Sequence, residues 1–235
     1  MTTAFWGEME PGGGDGSLRP ETKADAAYRE LRRRIVDASL EPGSRLDQEM
    51  LAAALGVSTT PLREALRRLE AERLVQRAAH RQVVIAPLSP QELHELYEVR
   101  LHLDSLSVRM AARAADPGLA VEAERYLALP DPEHPHHGLE LNRAFHRTLY
   151  SSSGNTVLTE ILDWLWDRTD RYRILLTADP SDAGVAADEH RELLSLVTAG
   201  RASEAGALMR RHLQRSVDRI ARLVADEARS SPGHT

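Results

Sequence analysis

The chain has 235 residues, no cysteine, and 36 acidic against 30 basic side chains, for a net charge of −6. That length is enough for two domains with a core each, and the missing thiols exclude disulfide frameworks, thiolate metal sites and cysteine nucleophiles. The opening MTTAFWGEMEPGGGDGS lacks both the basic stretch and the apolar run of a secretory signal, and no run approaches membrane-spanning length, so a cytoplasmic setting is expected.

Residues 1–22, rich in glycine and acids with a net charge of −3, read as a disordered tail. From Lys23 to Pro87 there are twelve Lys and Arg against nine Asp and Glu, an excess of +3, which leaves −6 for the remainder. A modestly basic N-terminal unit joined to an acidic one suits a DNA reader attached to something else. Within 23–87, Ala24–Leu40 reads as an amphipathic helix with Ala27, Leu31 and Ile35 on one face. Arg32, Arg33 and Arg34 follow in a row and cannot share a face, so at least one is expected near a phosphate if DNA binds. Glu41-Pro42-Gly43-Ser44 ends the helix in a turn.

Leu46–Arg77 then reads as a short helix, a tight turn at Gly56 and a second helix. Ser58-Thr59-Thr60-Pro61 supplies hydroxyl caps followed by a proline in the first turn. The second helix carries Leu62, Ala65, Leu66 and Leu69 at i, i+3, i+4 and i+7, with Arg63, Arg67 and Arg68 opposite. This is the helix-turn-helix pattern, whose second helix enters the DNA major groove; plain helical bundles also contain such pairs. Two strand-like runs, Leu74–Arg77 and Val83–Ala86, flank a tip at Ala78-Ala79-His80-Arg81 and form a wing.

Pro87-Leu88-Ser89-Pro90 marks a boundary, because two prolines in four residues continue neither ladder nor helix and Ser89 can cap the next helix. The expected organisation is a DNA-binding unit at 23–87, a linker at 88–90, helices at 91–228 and a frayed polar tail at 229–235. The helical segments are Pro90–Ala115, Gly118–Ala128, Gly138–Ser152, Thr156–Ala178, Ser181–Ala199 and Ala202–Ala228. The fold class is therefore mainly α: a winged helix-turn-helix of three helices plus a small β wing, followed by an all-α antiparallel bundle.

The stretch PGSRLDQEMLAAALGVSTTPLREALRRLEAERLV with its wing resembles the winged helix-turn-helix of GntR-type bacterial transcription regulators. The bundle resembles the FCD ligand-sensing domain of the FadR subfamily. That second resemblance is carried by Glu98-Val99-Arg100, Asn142-Arg143-Ala144-Phe145-His146, Ser153-Gly154-Asn155, Glu189-His190-Arg191 and Arg211-His212-Leu213. It implies a homodimer on a short palindromic operator, controlled by a small organic acid in the bundle. It also implies a divalent metal, with Zn, Ni or Mn as candidates, held by Asn142, His146, His190 and His212. Arg100 matches an arginine that pairs with the effector's carboxylate, and Arg143 is a further candidate.

Residues 142 and 146, four apart, share a helix face, while His190 and His212 come from two later helices that a bundle can bring together. Imidazole suits Zn, Ni, Cu or Fe, and an oxygen ligand also admits Mn. Asn142 stands where the family has Asp; an amide oxygen neutralises none of the cation's charge, so affinity is expected to fall. A second reading has the three histidines hydrogen-bond an anionic effector directly. His134, His136 and His137 resemble a metal tract but read better as a solvated loop. Arg100 has its own bland reading, a surface salt bridge to Glu98 or Asp104.

In the head, Thr59 and Glu49 replace family arginines, and Gln82 and Arg73 replace glycines, while Arg63 matches a retained arginine. The candidate DNA contacts are Arg45, Ser58, Thr59, Thr60, Arg63, Arg67, His80 and Arg81. Arg reads guanine bidentately and Thr does not, so the operator is expected to depart from the family's common sequence. The alternatives are a metal-dependent enzyme on the histidine cluster and a scaffold with degenerate DNA binding.

Overall fold

The computed structural model describes residues 21–78, 82–127, 135–178, 181 and 183–230. His80, Arg81 and His134, and nearly all of the two expected tails, lie outside the described residues.

The first helix, α1 (Lys23–Val36), starts from a capping box in which Thr22 and Asp25 satisfy each other's backbone N–H. It buries Ala24, Ala27, Leu31 and Ile35. It stops short of Leu40, because Asp37 caps it and Ala38 turns left-handed at φ 58°. A two-residue strand that the sequence reading missed, β1 (Arg45–Leu46), precedes α2 (Gln48–Leu55). Asp47 Oδ1 accepts from Glu49 N and Met50 N to start α2, and Gly56 ends it at φ 64°. That left-handed turn, which glycine adopts without steric cost, points α3 (Thr59–Ala71) across α2. Strands β2 (Val75–Arg77) and β3 (Val83–Ile85) form the wing, and β1 pairs with the other edge of β3, giving an antiparallel sheet of order β1-β3-β2. Register places Arg45 opposite Val84 and Gln76 opposite Val84 from the two sides. Leu31, Leu62, Leu69, Leu74 and Ile85 close this core.

The second core belongs to helices alone. These are α4 (Pro90–Ala114), α5 (Leu119–Glu124), α6 (Pro135–Ser151), α7 (Thr156–Arg173), α8 (Ala183–Thr198) and α9 (Ala202–Ser230). Ser89 Oγ caps α4 by accepting from Glu92 N at 3.2 Å. α7 tightens into a 3-10 turn at Ile174–Ala178 rather than running on as α-helix. α9 continues through Arg229 and Ser230, two residues expected in the tail. α4 and α9 are the central pair; Gly206 permits this, because a Cβ there meets Arg109 Cδ at 2.6 Å and Ser105 Oγ at 3.0 Å.

The connection between the cores is held against α7. Arg171, buried, donates to the carbonyls of Ala86 (3.0 Å) and Pro87 (2.6 Å). The Tyr172 hydroxyl donates to Glu92 at 2.5 Å and accepts from Ser89 N at 3.2 Å. Of Arg32, Arg33 and Arg34, Arg33 is the most exposed and makes surface pairs within its own helix. Arg32 pairs with Asp167 of α7, and Arg33 and Arg34 pair with Glu30 one turn back on their own helix.

Candidate functional site

The head presents its basic residues on the outer side of α3. Leu62, Ala65, Leu66 and Leu69 face inward, so Thr59, Arg63 and Arg67, spaced by four, are exposed together. Ser58 and Thr60 at the helix start and Arg45 on β1 are exposed as well. Neither Arg63 nor Arg67 has an ion-pair partner among the described residues. Arg68 differs: it pairs with Asp25 at 2.7 Å and stacks on Tyr28, fastening α3 to α1. Arg73, in a family glycine slot, is left-handed at φ 60°. Gln82 is not left-handed, and its carbonyl accepts from Ala78 N at 2.8 Å to close the wing below its tip.

In the bundle, α6, α8 and α9 bring three buried histidines to one point. His146 Nε2 lies 3.2 Å from His190 Nε2, which lies 3.3 Å from His212 Nε2. Burial, and next the neighbouring histidines, hold His146 and His190 well below the ordinary imidazole range, so both are neutral. Their outer nitrogens have partners. Glu189 accepts from His212 Nδ1 at 2.7 Å. The Tyr150 hydroxyl donates to Asp104 at 2.6 Å, leaving its oxygen to accept from His146 Nδ1 at 3.4 Å. The three Nε2 atoms are thereby left facing one another.

A divalent cation fits this arrangement. Metal–nitrogen bonds of about 2.0–2.1 Å in a tetrahedron place the nitrogens roughly 3.4 Å apart, close to the 3.2 and 3.3 Å observed. Glu189 and Tyr150 supply the outer hydrogen bonds that orient ligating histidines. The fourth expected donor is engaged elsewhere: Asn142 Oδ1 accepts from Arg173 Nη2 at 2.6 Å. The three histidines converge; Asn142 lines the same cavity but faces a guanidinium.

That cavity is small, about 70 Å³, and no acid among the described residues lines it. Arg100, Arg173, Arg215 and Arg219 do, with Tyr97, Trp166 and Ser216. Arg100 Nε and Asn142 Nδ2 are buried there with no acceptor among the described residues. Arg100 itself is 1% exposed and committed to the protein. Its fork donates to Asp104 (2.9 Å) and Thr169 (3.0 Å), between the rings of Trp166 and Tyr97. The salt bridge to Asp104 forms, in the core rather than on the surface. Arg143 lies away from this cavity, with its guanidinium on Asp167 (2.5 Å) and Asp170 (2.6 Å). Sequence reasoning missed Arg173, Arg215 and Arg219. The last two follow His212 by three and seven residues, a helical-face spacing that marks them. A wider hollow of about 540 Å³ between α5 and α6 shares no residue with the histidine cluster.

Comparison with known proteins agrees with this two-part architecture. Residues 23–85 match the bacterial regulatory proteins of the gntR family, and residues 95–215 match the FCD domain. The chain is 31% identical to the Nta operon transcriptional regulator of Aminobacter aminovorans over 192 residues, covering 80% of this chain and 90% of the relative. It is 30% identical over 200 residues to the HTH-type transcriptional repressor GlaR of Escherichia coli, covering 79% and 90%. Among solved structures, E. coli McbR/YncC superposes with a TM-score of 0.73 at 22% identity, over 86% of this chain and 98% of that one. A putative transcriptional regulator from Rhodococcus sp. RHA1 gives 0.68 at 24%, over 84% and 97%.

Proposed function

This chain belongs to the gntR family of bacterial regulatory proteins and carries an FCD domain, so it is a DNA-binding transcriptional regulator and not an enzyme, and we propose that it is a cytoplasmic repressor controlled by a divalent metal and a small organic acid in the bundle. The observation that carries this reading is the cavity: it is lined by His146 and His212 of the three converging histidines, by four arginines, and by the buried donors Arg100 Nε and Asn142 Nδ2. Such a lining suits an acceptor-rich anion beside a cation. His146, His190 and His212 would hold the metal, and Asn142 would join them on giving up its bond to Arg173. The metal supplies positive charge for the acid's carboxylate; Arg173 and Arg215 supply the directed donors. About 70 Å³ holds a couple of waters, so a metabolite enters only by moving the lining. That movement is what changes the placement of the heads. The repressor assignment leans on the relative named as one.

Thr59, Arg63 and Arg67 read the major groove in this proposal, Arg45 and Ser58 and Thr60 sit at its edge, and His80 and Arg81 contact DNA from the wing. Two heads come from a homodimer. α4 and α7 pack together and each keeps an exposed apolar stripe: Val99 and Leu106 on one, Val157, Ile161 and Trp164 on the other. A second copy covers them.

The test titrates the purified chain onto DNA from upstream of its own gene, with and without Zn(II), across a salt series. Tight, salt-sensitive binding that weakens at least tenfold in Arg63→Ala is expected. Equal binding by Arg63→Ala rejects the reading of α3, and zinc bound no better by the parent than by His190→Ala rejects the metal site.

A further inference from the structure

Side chains of alternating sign connect the cavity wall to the DNA-reading head. Asn142 accepts from Arg173 at 2.6 Å; Arg173 shares Asp170 (3.2 Å) with Arg143 (2.6 Å). Arg143 in turn shares Asp167 (2.5 Å) with Arg32 of α1. Both Asp167 contacts fall on the same oxygen, Oδ1. Arg32 has another acid within its own unit, Glu72 at 3.8 Å, so it leaves Asp167 without stranding a charge.

We propose that this series is the relay by which the cavity sets how firmly the head is held to the bundle, with Asp167 as its last switch point. The proposal rests on the reading of the cavity as the control site. Each charge divides itself between two neighbours, so strengthening one pair weakens the next. An anion that draws Arg173 weakens its hold on Asp170; Asp170 then takes more of Arg143, Arg143 releases Asp167, and Asp167 takes more of Arg32. The side chains run from 7% exposed at Arg173 to 29% at Asp167, so solvent screens them less than it does open surface pairs. The linker carbonyls are fixed by Arg171 one turn along the same helix, which gives the head a pivot while Asp167 varies.

The alternation predicts signs that general loosening does not. In full-length, chelator-treated protein without DNA, deuterium uptake is read for the α1 peptide Glu30–Val36, with α2 residues Met50–Leu55 as reference. Asn142→Asp places an anion beside Arg173 and slows α1 exchange about threefold; Arg143→Gln frees Asp167 and slows it likewise. Asp170→Asn returns Arg143 to Asp167 and speeds α1 exchange by about the same factor. All three shifts vanish when Asp167→Asn is added, and α2 stays unchanged. Shifts of one sign, shifts that survive Asp167→Asn, or an unmoved α1 overturn the relay. Arg143→Gln and Asp170→Asn alone suffice for the opposite signs if the cavity variant fails to fold. The readout needs neither effector nor operator, so its failure is separate from failure of the effector proposal.

Discussion

Replacing Asp104 by Asn tests whether Arg100 is a structural cation. The pair spans 2.9 Å with the two side chains 1% and 0% exposed. Despite burial, Asp104 keeps the Arg100 guanidinium above its ordinary pKa, so the charge stays when its partner is neutralised. Two unit charges about 4 Å apart at an effective dielectric of about 20 interact by roughly 4 kcal/mol, and breaking buried pairs costs about 3–5 kcal/mol. Asn retains a neutral acceptor for Nη2, worth about 1 kcal/mol, and the rings of Trp166 and Tyr97 still face the guanidinium. The expected net loss is therefore about 3 kcal/mol, or about 1.5 M in urea midpoint for a slope near 2 kcal/mol per molar. Tryptophan fluorescence reads it, since Trp164 and Trp166 both sit on α7 of the bundle. Glu204→Gln, which breaks an exposed pair to Arg201, serves as control and moves the midpoint little. A loss under about 1 kcal/mol, or none beyond the control, refutes the buried pair.

Metal-free protein loses stability on acidification. His146 and His190 resist protonation when folded, whereas the unfolded chain takes up those protons below the ordinary value of 6.5. Stability is full above that pH and falls below it, at up to about 2.7 kcal/mol per pH unit for two protons; thermal melts from pH 7 to 5 that stay flat contradict this. Glu189→Ala removes the acceptor that orients His212, and calorimetry is expected to give a zinc affinity about 10–100-fold weaker; an unchanged constant removes Glu189 from the site. Arg73→Gly relieves the left-handed backbone at φ 60° and, after the added freedom of the unfolded chain, gains roughly 0.5–1 kcal/mol. A loss in denaturant melts would mean that the arginine side chain matters more than its backbone.

The fold was legible wherever a local rule speaks. Apolar spacing along α3, the cap before α4, the glycine after α2 and the prolines at 87 and 90 each act within a few residues, and each has its element. β1 escaped because two residues carry no periodicity; only pairing with β3 makes Arg45–Leu46 a strand. Helix ends slipped at Val36 and Glu124 for the same reason, since capping geometry rather than composition stops them.

The sequence by itself determined a helix-turn-helix head, a helical bundle and three histidines on three separate helices. Only the tertiary structure decided what those side chains face, because partners 20 to 100 positions apart are invisible to spacing. It set the three Nε2 atoms toward one point, gave Glu189 to His212, and buried the Arg100–Asp104 pair that i,i+4 spacing already offered. It took Arg143 from the cavity and put Arg173 there instead, against Asn142. A helix fixes which residues share its face; packing against other helices fixes the charge and the hydrogen bonds that face meets.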